Sequence, residues 1–243
     1  MTGGGLALPV LALPALALAA AAAAAGPARV PFVGCPSDGQ LGPQPAPQHG
    51  PVPDVPAAAA ARLAYYASHE FGVLAPRGWH CLALEGSNES ALIVTPERHG
   101  ADQLMAASPL HGPAVQFSVS FGGTSGRFEV ANVIARAFPA HMDFARRVAA
   151  EGIGDPLPRG PYPTDHMVRL RPNAVAYTTP AGREGLGTDS RLAAGDRPID
   201  GLALLDPQGD MELVKIDVRL PAAQASLATL ILNAALPRRA ARR

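Results

Sequence analysis

The sequence predicts an α+β fold, an antiparallel sheet packed by helices, with an N-terminal Pro-rich arm tied on by a disulfide. Three observations carry that expectation. Residues 79–95 and 201–220 each read as two alternating segments around a polar turn, the pattern of a β-hairpin. Residues 127–151 and the stretch after Pro221 instead repeat apolar residues at helical spacing. The chain also contains two cysteines, Cys35 in the arm and Cys81 in the first hairpin.

The 243-residue chain has an uncharged run at 6–25, leucine-rich at first and then almost pure alanine. Ala23 and Ala25 form an A-x-A site ahead of Gly26-Pro27. Residues 1–25 are therefore expected to be a cleaved signal peptide, and the protein periplasmic or secreted. No Lys or Arg precedes the run, a departure from the usual pattern. A retained segment would make the protein a membrane-tethered structural module. Pro9 and Pro14 interrupt the run, and its alanine half is weakly apolar, which favours cleavage. A lipid attachment at Cys35 is disfavoured because that residue lies well beyond the apolar run, past Pro27, Arg29 and Pro31.

Residues 26–56 are rich in Pro, Gly and Gln and read as an irregular arm. In an exported chain, two cysteines are most simply one disulfide. Joining Cys35 to Cys81 closes a loop of about 45 residues, worth about 4 kcal/mol on the chain-entropy account. A catalytic thiol would need an activating base, and a zinc site would need more ligands than His80 beside these cysteines.

The single domain expected over 57–236 opens with a helix at 56–69: Asp54 offers a cap, Pro56 the first turn and Gly72 the end. Residues 73–75 are extended, and Pro76-Arg77-Gly78 is a turn. Residues 79–84 and 91–95 form the first hairpin, and 101–107 a short helix. Val115, Phe117, Val119 and Phe121 alternate with Gln116, Ser118 and Ser120, the clearest strand in the chain. A glycine-rich loop at 122–126 leads to a helix over 127–138, with Phe128, Ala131, Ile134 and Phe138 on one face, and a second helix follows at 140–151. Residues 167–170 and 174–178 look extended. The second hairpin turns at Pro207-Gln208-Gly209-Asp210, and a last helix opens at Pro221. The closing Arg238, Arg239, Arg242 and Arg243 read as a basic disordered tail, 237–243.

The segments Gly72-Val73-Leu74-Ala75-Pro76-Arg77-Gly78-Trp79-His80-Cys81 and Val33-Gly34-Cys35-Pro36-Ser37-Asp38-Gly39-Gln40 resemble a group of uncharacterised exported proteobacterial proteins. The run from Ala176 to Thr188 adds to that resemblance, which would cover nearly the whole mature chain. It implies export and no particular activity. Pro76 to Trp79, with the closing helix, is also similar to the PsbP-like sandwich, a fold that mostly binds or stabilises partners.

The charges balance, 20 against 20, so no global field holds nucleic acid or anionic lipid. Lys215 is the only lysine, which with the abundance of Ala, Pro and Gly reads as codon bias. His69-Glu70 carries the first half of a zinc-protease motif, but Val73 stands where the second histidine is required. His49, His80, His99, His111, His141 and His166 lack ligand spacing. Gly123-Thr124-Ser125-Gly126 lacks the last glycine of a nucleophile elbow, a position held by Arg127. The glycines at 182, 185 and 187 run in the reverse order of a dinucleotide fingerprint and fit positive φ or close backbone packing better.

No catalytic residue, metal ligand or cofactor is therefore assigned. The candidate recognition surface is Arg77, Trp79 and His80 with Arg183 and Glu184. The expected function is a non-catalytic exported protein that binds or stabilises a cell-envelope partner, a protein or a small ligand. The alternatives are an envelope hydrolase with a dispersed Ser/His/acid site around Ser125 and the membrane-tethered module. No nucleic-acid partner is expected, and a membrane only if the N-terminal segment is retained.

Overall fold

A computed structural model describes residues 27–106 and 108–236. The expected signal segment, 1–25, and the basic tail, 237–243, lie outside the described residues. The structure is sheet-dominated, with five α-helices and three sheets among the described residues. No helix there is long and apolar enough to cross a membrane.

The largest sheet has eight strands in the order β10-β11-β12-β13-β9-β8-β7-β3. The strands are β3 (Ser37–Gly39), β7 (His80–Glu85), β8 (Glu89–Thr95), β9 (Ala114–Phe121), β10 (His166–Arg171), β11 (Ala174–Thr179), β12 (Ile199–Asp206) and β13 (Glu212–Arg219). All neighbours pair antiparallel except β3, which joins β7 in parallel. Both expected hairpins form, as β7–β8 and β12–β13, and the alternating strand is β9. A three-stranded sheet joins β2 (Phe32–Gly34), β5 (Leu63–Ala67) and β6 (Gly72–Pro76), and β1 (Pro27–Arg29) pairs with β4 (Asp54–Pro56).

Two local expectations are corrected. The helix placed at 56–69 is one short turn, α1 (Ala57–Ala60), and the chain then becomes β5. Cap and breaker residues bracket the segment, but Tyr65 and Tyr66 are strand-formers, and β5 gains pairing from both β2 and β6. Tyr66, fully buried, donates its hydroxyl to Pro76 O at 2.8 Å and accepts the Trp79 amide at 2.9 Å. Residues 27–56, read as irregular, contribute the four short strands β1 to β4.

The Cys35–Cys81 disulfide is present, with the two Cα atoms 5.4 Å apart. It links the chain between β2 and β3 to β7. Cys35 belongs to a buried cluster with Tyr66 and Leu74 of the small sheet, Leu92, Val115, Ile216 and Val218 of the large one, and Ile231. Ile231 lies on α5 (Ala228–Ala235), which the chain enters through a 3₁₀ stretch, Ala222–Leu227. A second buried cluster gathers Val130, Val133, Ile134 and Phe138 with Val148, Tyr177, Ala203 and Leu213. Those residues bring α3 (Arg127–Ala137) and α4 (Met142–Ala149) against β11, β12 and β13. The remaining helix, α2, spans Ala101–Met105.

Candidate functional site

In an antiparallel pair, alternate residues face opposite sides. On β9 and β13 one side carries Val115, Phe117, Ile216 and Val218, which pack into the cluster around the disulfide. The other side carries Gln116, Ser118 and Ser120 against Lys215, Asp217 and Arg219. The register sets Lys215 opposite Ser118 and Asp217 opposite Gln116. A polar strand face normally meets water, but all six of these residues are buried. The 180–196 connection between β11 and β12, with α3, closes over them.

That connection is pinned by specific bonds. Asp165 accepts the Thr179 hydroxyl and the Leu186 amide, both at 2.8 Å, and Thr179 Oγ1 accepts the Gly187 amide at 3.0 Å. A Cβ on Gly185 would lie 2.1 Å from Asp165 Oδ1, so the backbone passes where no other residue fits. Gly185 and Gly187 serve close packing, whereas Gly182 supplies a positive φ of 68° with open space around it. Arg219 fastens the next stretch, donating to Gly112 O, Ala193 O and Leu110 O. Burial holds its guanidinium below the ordinary arginine value.

A polar cavity of about 390 Å³ remains over β8, β9 and β13, a volume typical of small-ligand sites. Ser118, Ser120, Gln116 and Lys215 line its β9–β13 side, Glu89 and Asn88 its β8 end, Glu129 comes from α3, and Asp189 and Arg191 come from the connection. The Lys215 ammonium donates to Leu186 O at 3.1 Å and to Asp189 O, and stands 3.8 Å from Glu129 Oε1. Asp189 is itself held by the Tyr162 hydroxyl at 2.7 Å and by Arg136 at 3.7 Å, whose guanidinium stacks on the Tyr162 ring. Gln116 Oε1 accepts the Arg191 amide at 3.0 Å.

Other groups have no protein partner. Ser118 and Ser120 are 5% and 3% exposed, yet neither hydroxyl makes a hydrogen bond among the described residues. The Gln116 amide nitrogen, on a residue 1% exposed, donates to nothing there either. These three groups border the cavity and are open from its side to a partner from outside the chain.

Burial perturbs the carboxyls in and behind the cavity. Loss of water raises the Glu129 carboxyl above the ordinary range, Lys215 opposes that, and Asp189, Glu89 and Asp217 add to it. Glu89 is raised for the same first reason, although its exposed flank is screened by water. Behind the cavity, fully buried Asp217 accepts the Tyr177 hydroxyl at 2.5 Å, while its second oxygen has no partner. Burial pushes Asp217 up to about 6, against the pull of Lys215 and the Tyr177 bond.

The recognition residues named from the sequence lie elsewhere. Arg77 is exposed on the β6–β7 turn and donates to Ala60 O at 2.8 Å. Trp79 is half-buried against the disulfide cluster, and His80 begins β7 beside Cys81. Arg183 and Glu184 are exposed on the β11–β12 connection. Both groups sit at the same end of the large sheet, but β7 and β11 are five strand spacings apart, about 24 Å. They do not come together as one patch.

The Ser125 hydroxyl is exposed and bonds to no histidine or carboxylate among the described residues. Its loop serves packing: a Cβ on Gly126 would lie 2.1 Å from Asn88 O. Arg127 grips Glu151 through two nitrogens at 2.7 to 3.0 Å. No three His, Cys, Asp or Glu side chains among the described residues are grouped to hold a metal ion.

Sequence reasoning missed the cavity residues. The available signal was Lys215, Asp217 and Arg219 at alternate positions of a strand whose other face is apolar, with the only lysine of the chain among them.

Fold and site together define a class: a disulfide-bonded, sheet-dominated α+β protein with a polar cavity on its central strands. No family model matches the chain, and neither a curated protein nor a solved structure matches it.

Proposed function

We propose that this is an exported protein of the cell envelope that binds and does not catalyse, and that the polar cavity over β9 and β13 receives a small ligand. In this reading the helices cover the sheet, and the disulfide ties the N-terminal arm to it so that the protein holds together outside the cytoplasm. Export is supported by the A-x-A segment and by the paired cysteines. The observation that carries the binding reading is the set of polar groups of Gln116, Ser118 and Ser120 that border the cavity without a protein partner. Binding is preferred to hydrolysis around Ser125 because that hydroxyl has neither a base nor an acid beside it.

Two measurements test this on protein from the envelope fraction. Intact mass should begin near Gly26 and gain two alkyl groups only after reduction. A full-length mass with free thiols would contradict export and favour the tethered alternative. Native mass spectrometry should reveal a population carrying a non-covalent small molecule, lost in Ser118→Ala/Ser120→Ala. A bare mass in gentle conditions, identical in parent and variant, would contradict the cavity reading.

A further inference from the structure

Resting on the reading of the cavity as a ligand site, we infer that its ligand is a small neutral compound rich in hydroxyl groups, a polyol or simple sugar. Strand register lays out the floor that would receive it. Ser120 stands opposite Glu89 of β8, and Ser118 stands between Ala91 of β8 and Lys215 of β13. Side chains opposite one another lie about 5 Å apart, and Ser118 and Ser120 are separated by about 7 Å along β9. Each serine hydroxyl can donate and accept; one has an acceptor-only carboxylate beside it, the other a donor-only ammonium. Gln116 adds its amide nitrogen, since its oxygen already accepts the Arg191 amide.

The charges around this floor are matched. Arg136 lies 3.7 Å from Asp189 and Lys215 lies 3.8 Å from Glu129, while Lys215 and Arg191 both pull Glu89 toward its ionised form. An anion entering the cavity would meet the carboxylates, and a cation would meet Lys215 and Arg191, so like charge disfavours both. A zwitterion would compete with pairs already formed, because Lys215 is spent on Leu186 O and Asp189 O, and Asp189 on Tyr162 and Arg136. A hydroxyl meets none of these penalties. It donates to Glu89 or a serine oxygen, and it accepts from Gln116, Arg191 or a serine. Arg191 has the capacity, since only one of its guanidinium nitrogens is bonded among the described residues, to Ala106 O at 3.1 Å. The apolar lining is Leu84 and Ala91 with no aromatic ring, so an apolar ligand face would gain little there.

Amide shifts in NMR spectra of the mature, oxidised protein test the assignment. The neutral probes are glucose and myo-inositol; glucosamine, glucuronate and serine are the cationic, anionic and zwitterionic ones. At least one neutral probe should move the Gln116, Ser118, Ser120 and Arg191 amides saturably. Its affinity should be the same at about 0.01 M and about 1 M salt, between which the screening length falls from about 30 to about 3 Å. Each charged probe should bind at least about tenfold more weakly. Ser118→Ala/Ser120→Ala, its folding verified by thermal melting, should weaken the neutral probe by about tenfold or more, the scale of two lost hydrogen bonds. A charged probe that binds as tightly as the neutral ones, or a neutral affinity untouched in the serine variant, overturns the inference. Silence from every probe up to its solubility also overturns it. A molecule retained in native mass spectrometry would then keep the cavity as a site for other chemistry, and a bare mass would remove that reading too.

Discussion

The two faces of the β9–β13 pair are both largely buried, yet one is apolar and the other is almost wholly polar. Val115, Phe117, Ile216 and Val218 meet the disulfide cluster, whereas Gln116, Ser118, Ser120, Lys215, Asp217 and Arg219 meet α3 and the 180–196 connection. Burying the first face stabilises the fold by roughly 25 cal/mol per Å² of apolar surface. Burying the second costs unless every group is paired. Arg219 and Lys215 meet that condition through backbone carbonyls, and the groups beside the cavity do not. The contrast separates residues that hold the fold together from residues kept despite their cost to it.

That contrast is open to direct test, beginning with the apolar side. Reducing and alkylating Cys35 and Cys81 should lower stability by about 4 kcal/mol, because the bond closes a long loop and Cys35 is part of the apolar cluster. Urea denaturation with and without reductant measures it, and unchanged midpoints would mean the arm needs no tether. Ile216→Ala, at a fully buried site in the same cluster, should cost about 2–5 kcal/mol in the same assay. A loss under about 1 kcal/mol would mean that the apolar face is not the main core.

The polar face should reveal itself through pH. Asp217 has a raised folded pKa of about 6, against an ordinary unfolded value near 4. Between those values the folded protein keeps a proton that the unfolded chain has released. Stability therefore falls as pH rises through that window, by up to about 3 kcal/mol from this group. Glu129, also raised, acts with the same sign. Asp217→Asn should flatten the slope; a slope unchanged in that variant would place the titration elsewhere. The smallest effects are expected at Ser118 and Ser120, whose hydroxyls have no protein bond to lose.

Much of the architecture is legible in the sequence. Alternation across residues 115–121 and the turns at 86–88 and 207–210 identify the central strands, and two cysteines identify the crosslink. The helix expected at 56–69 forms only at Ala57–Ala60, because alanines and a leading proline suit a helix there, while the strand pairing that decides Tyr65 and Tyr66 comes from residues 32–34 and 72–76. The site was illegible for a related reason. A strand written apolar-polar reads as half-exposed, and nothing local indicates that a connection some 60 residues away will bury its polar side. Lys215 was seen as the only lysine and given no role, since its partners Leu186 O, Asp189 O and Glu129 are all distant in sequence.

The most direct test of the central claim, that this polar face is kept for a ligand and not for the fold, is the melting temperature of Ser118→Ala/Ser120→Ala without ligand. The account predicts a value equal to that of the parent, because neither hydroxyl has a protein bond to lose. A fall of more than about 4 °C, equivalent to about 1–2 kcal/mol in a chain of this size, would contradict it and make those hydroxyls part of the structure they line.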